Sequence, residues 1–126
     1  MSSNLPKPEA IQALAQSNDS SNVVMLNLLK FRPKGGLESY REYARKATPI
    51  LERLGAKILF DGAFLTTVIG ERDWDSIILV QYPSRRAFID MVTSPEYQAI
   101  LHLRQEALES SELHAISPTG ALESRG

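Results

Sequence analysis

The stretch Val23–Phe31 reads VVMLNLLKF, a run of β-favouring side chains that a single asparagine, Asn27, interrupts. A strand with one wet face alternates apolar and polar residues with a period of two. Here both parities are apolar, so a strand built from this segment needs cover on both of its faces. Ser76–Tyr82, SIILVQY, has the same character. Whatever fold the chain adopts must therefore hide two sides of a sheet.

Reading outward from that strand, SNDSSN at residues 17–22 is loop chemistry, and before it Pro6, Pro8, Ile11, Leu14 and Ala15 describe a short helix with a weak apolar face. On the other side RPKGG breaks the strand, and from Leu37 the period changes to 3.6. Leu37, Tyr40, Ala44, Ala47, Leu51 and Leu54 form the apolar seam, with Tyr43 at its margin and Gly55 at the carboxy-terminal stop. Pro49 lies inside this helix and predicts a kink after Thr48. The next segment, AKILFDGAFLTTVIG, reads as one long strand with a bulge at Asp61-Gly62, leaving Gly70 to Asp75 as the hairpin connection and Trp74 as its anchor. Ser84 and Ser94 have the chemistry of helix amino-terminal caps, with Pro95 following the second, so two helical pieces succeed one another. SELHAIS before Pro118 supplies a fourth strand.

This order is the split βαβ pattern: an α+β, ferredoxin-like βαββαβ domain with a four-stranded antiparallel sheet and helices on one face. The expected organisation is an extra N-terminal helix and arm over 1–21, the domain over 22–118 and a mobile tail over 119–126. Two major helices cover one face of such a sheet. A second copy is the natural cover for the other, which predicts a homodimer through sheet faces, a dimeric α+β barrel. The rival arrangement is a monomer whose amino-terminal segment folds across the open face.

The 126 residues make one domain, and 43% hydrophobic against 23% charged residues is the mix of a folded protein. A net charge of -1 without a basic run argues against nucleic acid as a partner. The absence of cysteine removes thiol chemistry and disulfides. No apolar run is long enough to span a membrane and the first residues carry no signal-peptide core, so the expected location is cytoplasmic. His102 and His114 lack metal-ligand spacing, no phosphate-cradling loop or nucleophile elbow is present, and neither haem nor flavin is indicated; no cofactor and no metal is expected.

One residue contradicts its surroundings. On a helical wheel from Pro95 to Leu108, Tyr97, Ile100, Leu101, Ala107 and Leu108 share a face, Arg104 falls near its middle and His102 points away. A guanidinium directed at a core needs hydrogen bonds and a charge partner. One reading pairs it with Asp61 or Glu71, or lets its head reach water. The other makes it a clamp for a small polar or anionic ligand. Asn27, Tyr40, Tyr43, Asp61 and Trp74 are the accompanying candidates for a pocket lining, although packing or backbone hydrogen bonding explains each of them separately.

The segment Tyr82–Arg104, YPSRRAFIDMVTSPEYQAILHLR, resembles the signature of domain-of-unknown-function family 1330, with Pro83, Ser84, Ser94, Pro95, Glu96, Tyr97 and Arg104 carrying the likeness. The similarity extends over about Asn22 to Pro118 and leaves the N-terminal helix outside. It implies membership of the dimeric α+β-barrel superfamily, whose ligands typically occupy the cleft between sheet and helices. That superfamily includes cofactor-independent monooxygenases, haem-degrading enzymes, isomerases and ligand-sensing domains, so the resemblance leaves open an oxygenase- or isomerase-like enzyme, with a tyrosine or Asp61 moving protons, and a non-catalytic binding or structural dimer. Asp61, before Gly62, departs from the small or basic residue the family pattern suggests.

Overall fold

In a computed structural model, residues 4–120 and 122 are described. The elements follow in the order α1 (Pro8–Gln16), β1 (Val23–Phe31), α2 (Gly36–Arg53), β2 (Lys57–Ala63), β3 (Ser76–Tyr82), α3 (Arg85–Thr93), α4 (Pro95–Ala107) and β4 (Leu108–Ile116). The sheet is antiparallel with order β2-β3-β1-β4, the ferredoxin-like arrangement the element order predicts. The tail expected at 119–126 falls mostly outside the described residues.

The register assigns each side chain to a face. Val23, Met25, Asn27 and Leu29 stand opposite Tyr82, Val80, Ile78 and Ser76, and these residues point toward the helices. Val24, Leu26 and Leu28 point the other way, in rows with Leu79 and Ile77 of β3 and with Ile116 of β4. The main core lies on the helical side, where Leu29 and Leu108 are fully buried with Met25, Val80, Tyr82, Phe88 and Ala107. The amino-terminal helix α1 packs on α3, with Ile11, Leu14 and Ala15 against this same core, while Asn4 is tied to the Leu108 carbonyl and the Ser111 hydroxyl. Residues 4–21 therefore do not cross the opposite face, and no helix of the described chain covers it.

The helix boundaries follow local chemistry. Ser84 and Ser94 accept from the backbone N–H of Ala87 and Tyr97, each at 3.1 Å, as N-caps. At the end of α2 the N–H of Gly55 bonds Glu52 and that of Ala56 bonds Leu51, a Schellman ending. Helix α2 runs through Pro49 as one element, as expected, but its buried seam is Gly36, Tyr40, Tyr43, Ala47 and Ile50. Tyr43 is central in it, and Leu37, expected in the seam, is 39% exposed. Gly36 is fixed by a close approach: a Cβ there would sit 2.7 Å from the Ala107 carbonyl, where α4 hands over to β4.

Three expectations for the second half of the sheet need correction. Strand β2 stops at Ala63 instead of continuing to Gly70, so residues 64–75 form the connection to β3. Leu65, Val68 and Ile69 project from this arm at 98%, 88% and 94% exposure, side chains that read as strand because nothing in a local sequence distinguishes a paired β-former from an unpaired one. The register shift in β2 falls between Ile58 and Phe60, not at Asp61-Gly62. Gly62 serves a different need, because a Cβ there would lie 2.6 Å from the Phe60 ring. Strand β4 begins at Leu108, directly after α4, and not at Ser111; its pairing with β1 shifts register between Lys30 and Phe31.

On the other edge of β1 the ladder with β3 ends at Leu29 and Ser76, so the Phe31 N–H lies beyond it, and Asp75 takes that donor. The Asp75 carboxylate accepts from Phe31 N at 2.8 Å, its own N–H donates to Leu29 O at 2.8 Å, and its carbonyl accepts from Phe64 N at 2.9 Å. One residue thus joins the ends of three strands. Asp75→Ala strands a backbone donor and should cost about 1–3 kcal/mol, with Asp75→Asn costing less. Urea unfolding checks this: the midpoint should fall at constant m-value, and an unchanged midpoint for Asp75→Ala would remove the residue from this role.

Candidate functional site

Arg104 reaches the core for the reason the wheel gives: α4 buries Tyr97, Arg104 and Ala107 along one line, and its cap at Ser94 fixes the phase of that line. The residue is 8% exposed, the single charged member of the buried set among the described residues. Beneath it is the middle of the sheet, where the inner parity of β1 places Asn27. The guanidinium donates to Asn27 Oδ1 at 3.4 Å. The Asn27 amide nitrogen in turn donates to the carbonyls of Ile78 at 3.3 Å and Met25 at 3.4 Å.

Helix α2 contributes the wall. Phe31, Tyr40, Tyr43 and Tyr97 form a chain of aromatic contacts with centroids 5.5, 5.2 and 6.1 Å apart, and the hydroxyls of Tyr43 and Tyr97 share a hydrogen bond of 2.8 Å. Burial pushes the Tyr40 hydroxyl up to about 12; Arg104 opposes this by charge and hydrogen bonding, while Asp61 adds to it. Burial likewise holds Tyr43 well above its ordinary value, with Tyr97 and Tyr40 adding to the effect. At neutral pH these phenols are hydrogen-bond donors and acceptors and not bases, so the tyrosine proton transfer that the enzyme reading invoked has no support from their ionisation.

Asp61 lies on the same inner face, opposite Ile78, but is exposed and makes no ion pair with Arg104. Glu71 belongs to the 64–75 arm. The expected internal salt bridge is therefore not formed by either residue, and among the described residues no carboxylate lies within ion-pair distance of Arg104. Trp74 is also elsewhere: its ring stacks under the Arg72 guanidinium at 5.7 Å and lines a hollow formed by the arm. A second hollow lies between the end of α2 and the start of β2, lined by Thr48, Leu51 and Ile58 among others. Neither hollow is lined by Arg104. The structure thus brings together Asn27, Tyr40, Tyr43 and Arg104 with Asp61 at the margin, excludes Trp74, and adds Tyr97 and Phe31. Tyr97 was legible as a core-face residue, but its bond to Tyr43 is a long-range contact that helical spacing does not encode.

The order β2-β3-β1-β4 with helices on one face defines a ferredoxin-like α+β protein. The family described as Domain of unknown function (DUF1330) matches residues 36–116, and the chain belongs to it. Strand β1 and Asn27 precede the matched segment. A protein of unknown function from Rhodopseudomonas palustris is 31% identical over 95% of this chain and 99% of its own, with a TM-score of 0.89. Two more distant structures share the fold. A dimeric ferredoxin-like protein of unknown function from Bacteroides fragilis has 15% identity, covers 75% of this chain and 94% of its own, and has a TM-score of 0.55. A dabb family protein from Mesorhizobium loti has 13% identity, 79% and 98% coverage and a TM-score of 0.59. No curated protein matches the sequence.

The buried phenols generate a pH prediction. A folded-state value raised above the ordinary 10.0 means that the stability contributed by neutral Tyr40 is complete below pH 10 and is lost as pH rises through about 12. Tyr43 and Tyr82, also raised by burial, act in the same direction. Tyrosinate absorbance and circular dichroism followed together should show these residues ionising only as the fold is lost. Reversible ionisation of Tyr40, Tyr43 and Tyr82 near pH 10 with the dichroism intact would contradict their burial.

Proposed function

We propose that this protein is a homodimer, closed through its sheet faces, that binds a small anionic or polar molecule between sheet and helices at Arg104. The observation that carries the binding site is the charge balance: a nearly buried guanidinium has neutral partners, Asn27 and Tyr40, and no carboxylate in ion-pair reach among the described residues. A buried cation without a counter-charge costs several kcal/mol, and a ligand oxyanion that accepts its remaining N–H groups offsets that cost. The aromatic wall of Tyr40, Tyr43 and Tyr97 supplies apolar surface for the rest of such a ligand.

The dimer reading rests on the outer face, where Leu26, Leu28, Ile77 and Leu79 stand in register, Phe60 is 54% exposed and no helix lies above. A contiguous apolar surface of this kind marks an interface in a folded protein. It agrees with the dimeric description of the Bacteroides fragilis neighbour.

Thermal unfolding with and without benzoate tests the site. At about 100 times its dissociation constant a ligand adds roughly 2.7 kcal/mol, which for a domain of this size raises Tm by on the order of 8 °C. The shift should appear in the wild type and be absent in Arg104→Met. Failure of benzoate, lactate, succinate and inorganic phosphate alike to move the wild-type Tm would reject the reading in favour of a structural arginine. Sedimentation equilibrium tests the dimer: the wild type should weigh twice 14.0 kDa, and Leu79→Glu should return it to the monomer. A wild type that stays monomeric at tens of micromolar, a protein concentration in the weak-affinity range, removes the dimer.

A further inference from the structure

Asn27 occupies a position in the sheet where an aspartate of nearly the same shape would neutralise Arg104. It sits on the inner parity of the central strand, between Ile78 of β3 and Leu113 of β4, directly under α4. Its amide orientation is not free. The nitrogen donates to two main-chain carbonyls, Ile78 O at 3.3 Å and Met25 O at 3.4 Å, which occupies both of its hydrogens. The oxygen is then the only group it can present to the helices, and the guanidinium donates to it at 3.4 Å. The flipped amide would set an N–H₂ against the guanidinium and an oxygen against two carbonyl oxygens, and both contacts repel.

The sheet floor therefore orients the guanidinium through a neutral acceptor and leaves its charge unspent. The second charge near the site has the opposite sign. Asp61 shares the inner row with Ile78 and Asn27, is exposed, and raises the Tyr40 hydroxyl, so its field reaches the place where a ligand of Arg104 would lie. A singly charged carboxylate satisfies Arg104 and leaves Asp61 facing an uncharged part of the molecule. A dicarboxylate brings its second charge toward the Asp61 carboxylate, and like charges repel.

We propose that Asn27 is the specificity-determining residue of the Arg104 site, a neutral support that makes it select monocarboxylates over both their uncharged amides and dicarboxylates. This rests on the anion-binding reading of the preceding section. Asn27 acts on the ligand by positioning Arg104 and by withholding a counter-charge from it.

The test is calorimetric titration of the full chain with benzoate, benzamide and succinate, for the wild type, Asn27→Asp, Asn27→Ser and Arg104→Met, with circular dichroism as the check of folding. The wild type should bind benzoate at least about tenfold more tightly than benzamide or succinate, a discrimination of 1.4 kcal/mol or more. Asn27→Asp should lose that preference for benzoate over benzamide. Asn27→Ser, which keeps a small neutral acceptor, should retain it, and it carries the test if the aspartate variant does not fold. A merely structural role for Asn27 would weaken all ligands together and leave their ratio unchanged, which overturns the inference. Wild-type preference for succinate over benzoate overturns it as well. The two readings fail differently. No binding to the wild type removes the Arg104 site itself, whereas binding lost in Arg104→Met but unaltered in Asn27→Asp keeps the site and removes the role of Asn27.

Discussion

Strand β1 is the constraint from which the rest of the molecule is built. It has a neighbour on each edge and apolar side chains on each face, so it cannot lie at a border of anything. Its inner residues, Val23, Met25 and Leu29, set the floor on which the helices pack. Its outer residues define a surface that no helix of the described chain covers. The polar member of its inner row, Asn27, lies on the helical side, and the one charged side chain buried among the described residues descends to meet it. Architecture and site share a single line of residues.

The pairing of Arg104 with Asn27 also explains how a polar contact can exist at the centre of a small core. Asn27 accepts from the guanidinium, and the aromatic rings of α2 and α4 stand beside it. Such an arrangement is poor design for stability alone, because a leucine at position 104 would pack without a desolvation cost. The presence of a charge in that place is the observation on which the proposed anion site rests.

The features legible in the sequence were those governed by nearby residues. The caps at Ser84 and Ser94, the stop at Gly55, the strands at Val23 and Ser76 and the inward course of Arg104 all depend on contacts within a turn or on periodicity. What escaped was decided at a distance. Phe64 to Ile69 have strand composition, but no neighbouring strand meets them beyond Ala63. Gly62 invited a bulge, when its lack of a side chain makes room for Phe60. The seam of α2 was drawn one residue off, through Leu37 instead of Gly36, because a glycine has no hydrophobicity to reveal that it faces inward. Trp74 was grouped with Arg104 on chemical type alone, whereas Arg72 two residues away holds it in the arm. For Asp61, one of two carboxylates that could pair with Arg104, the fold pattern gives its face but not its reach.

The contact at Gly36 has a bearing on how the chain acquires its shape. The domain consists of two βαβ halves, and such halves are often pictured as units that could form separately. Here the first residue of the first crossover helix lies against the last residue of the second, and the Arg32 N–H bonds the same Ala107 carbonyl at 2.9 Å. The sheet interleaves them further, since β1 of one half is flanked by β3 and β4 of the other. Each half thus draws part of its own closure from the other, which is the arrangement that couples their folding into one transition in small domains.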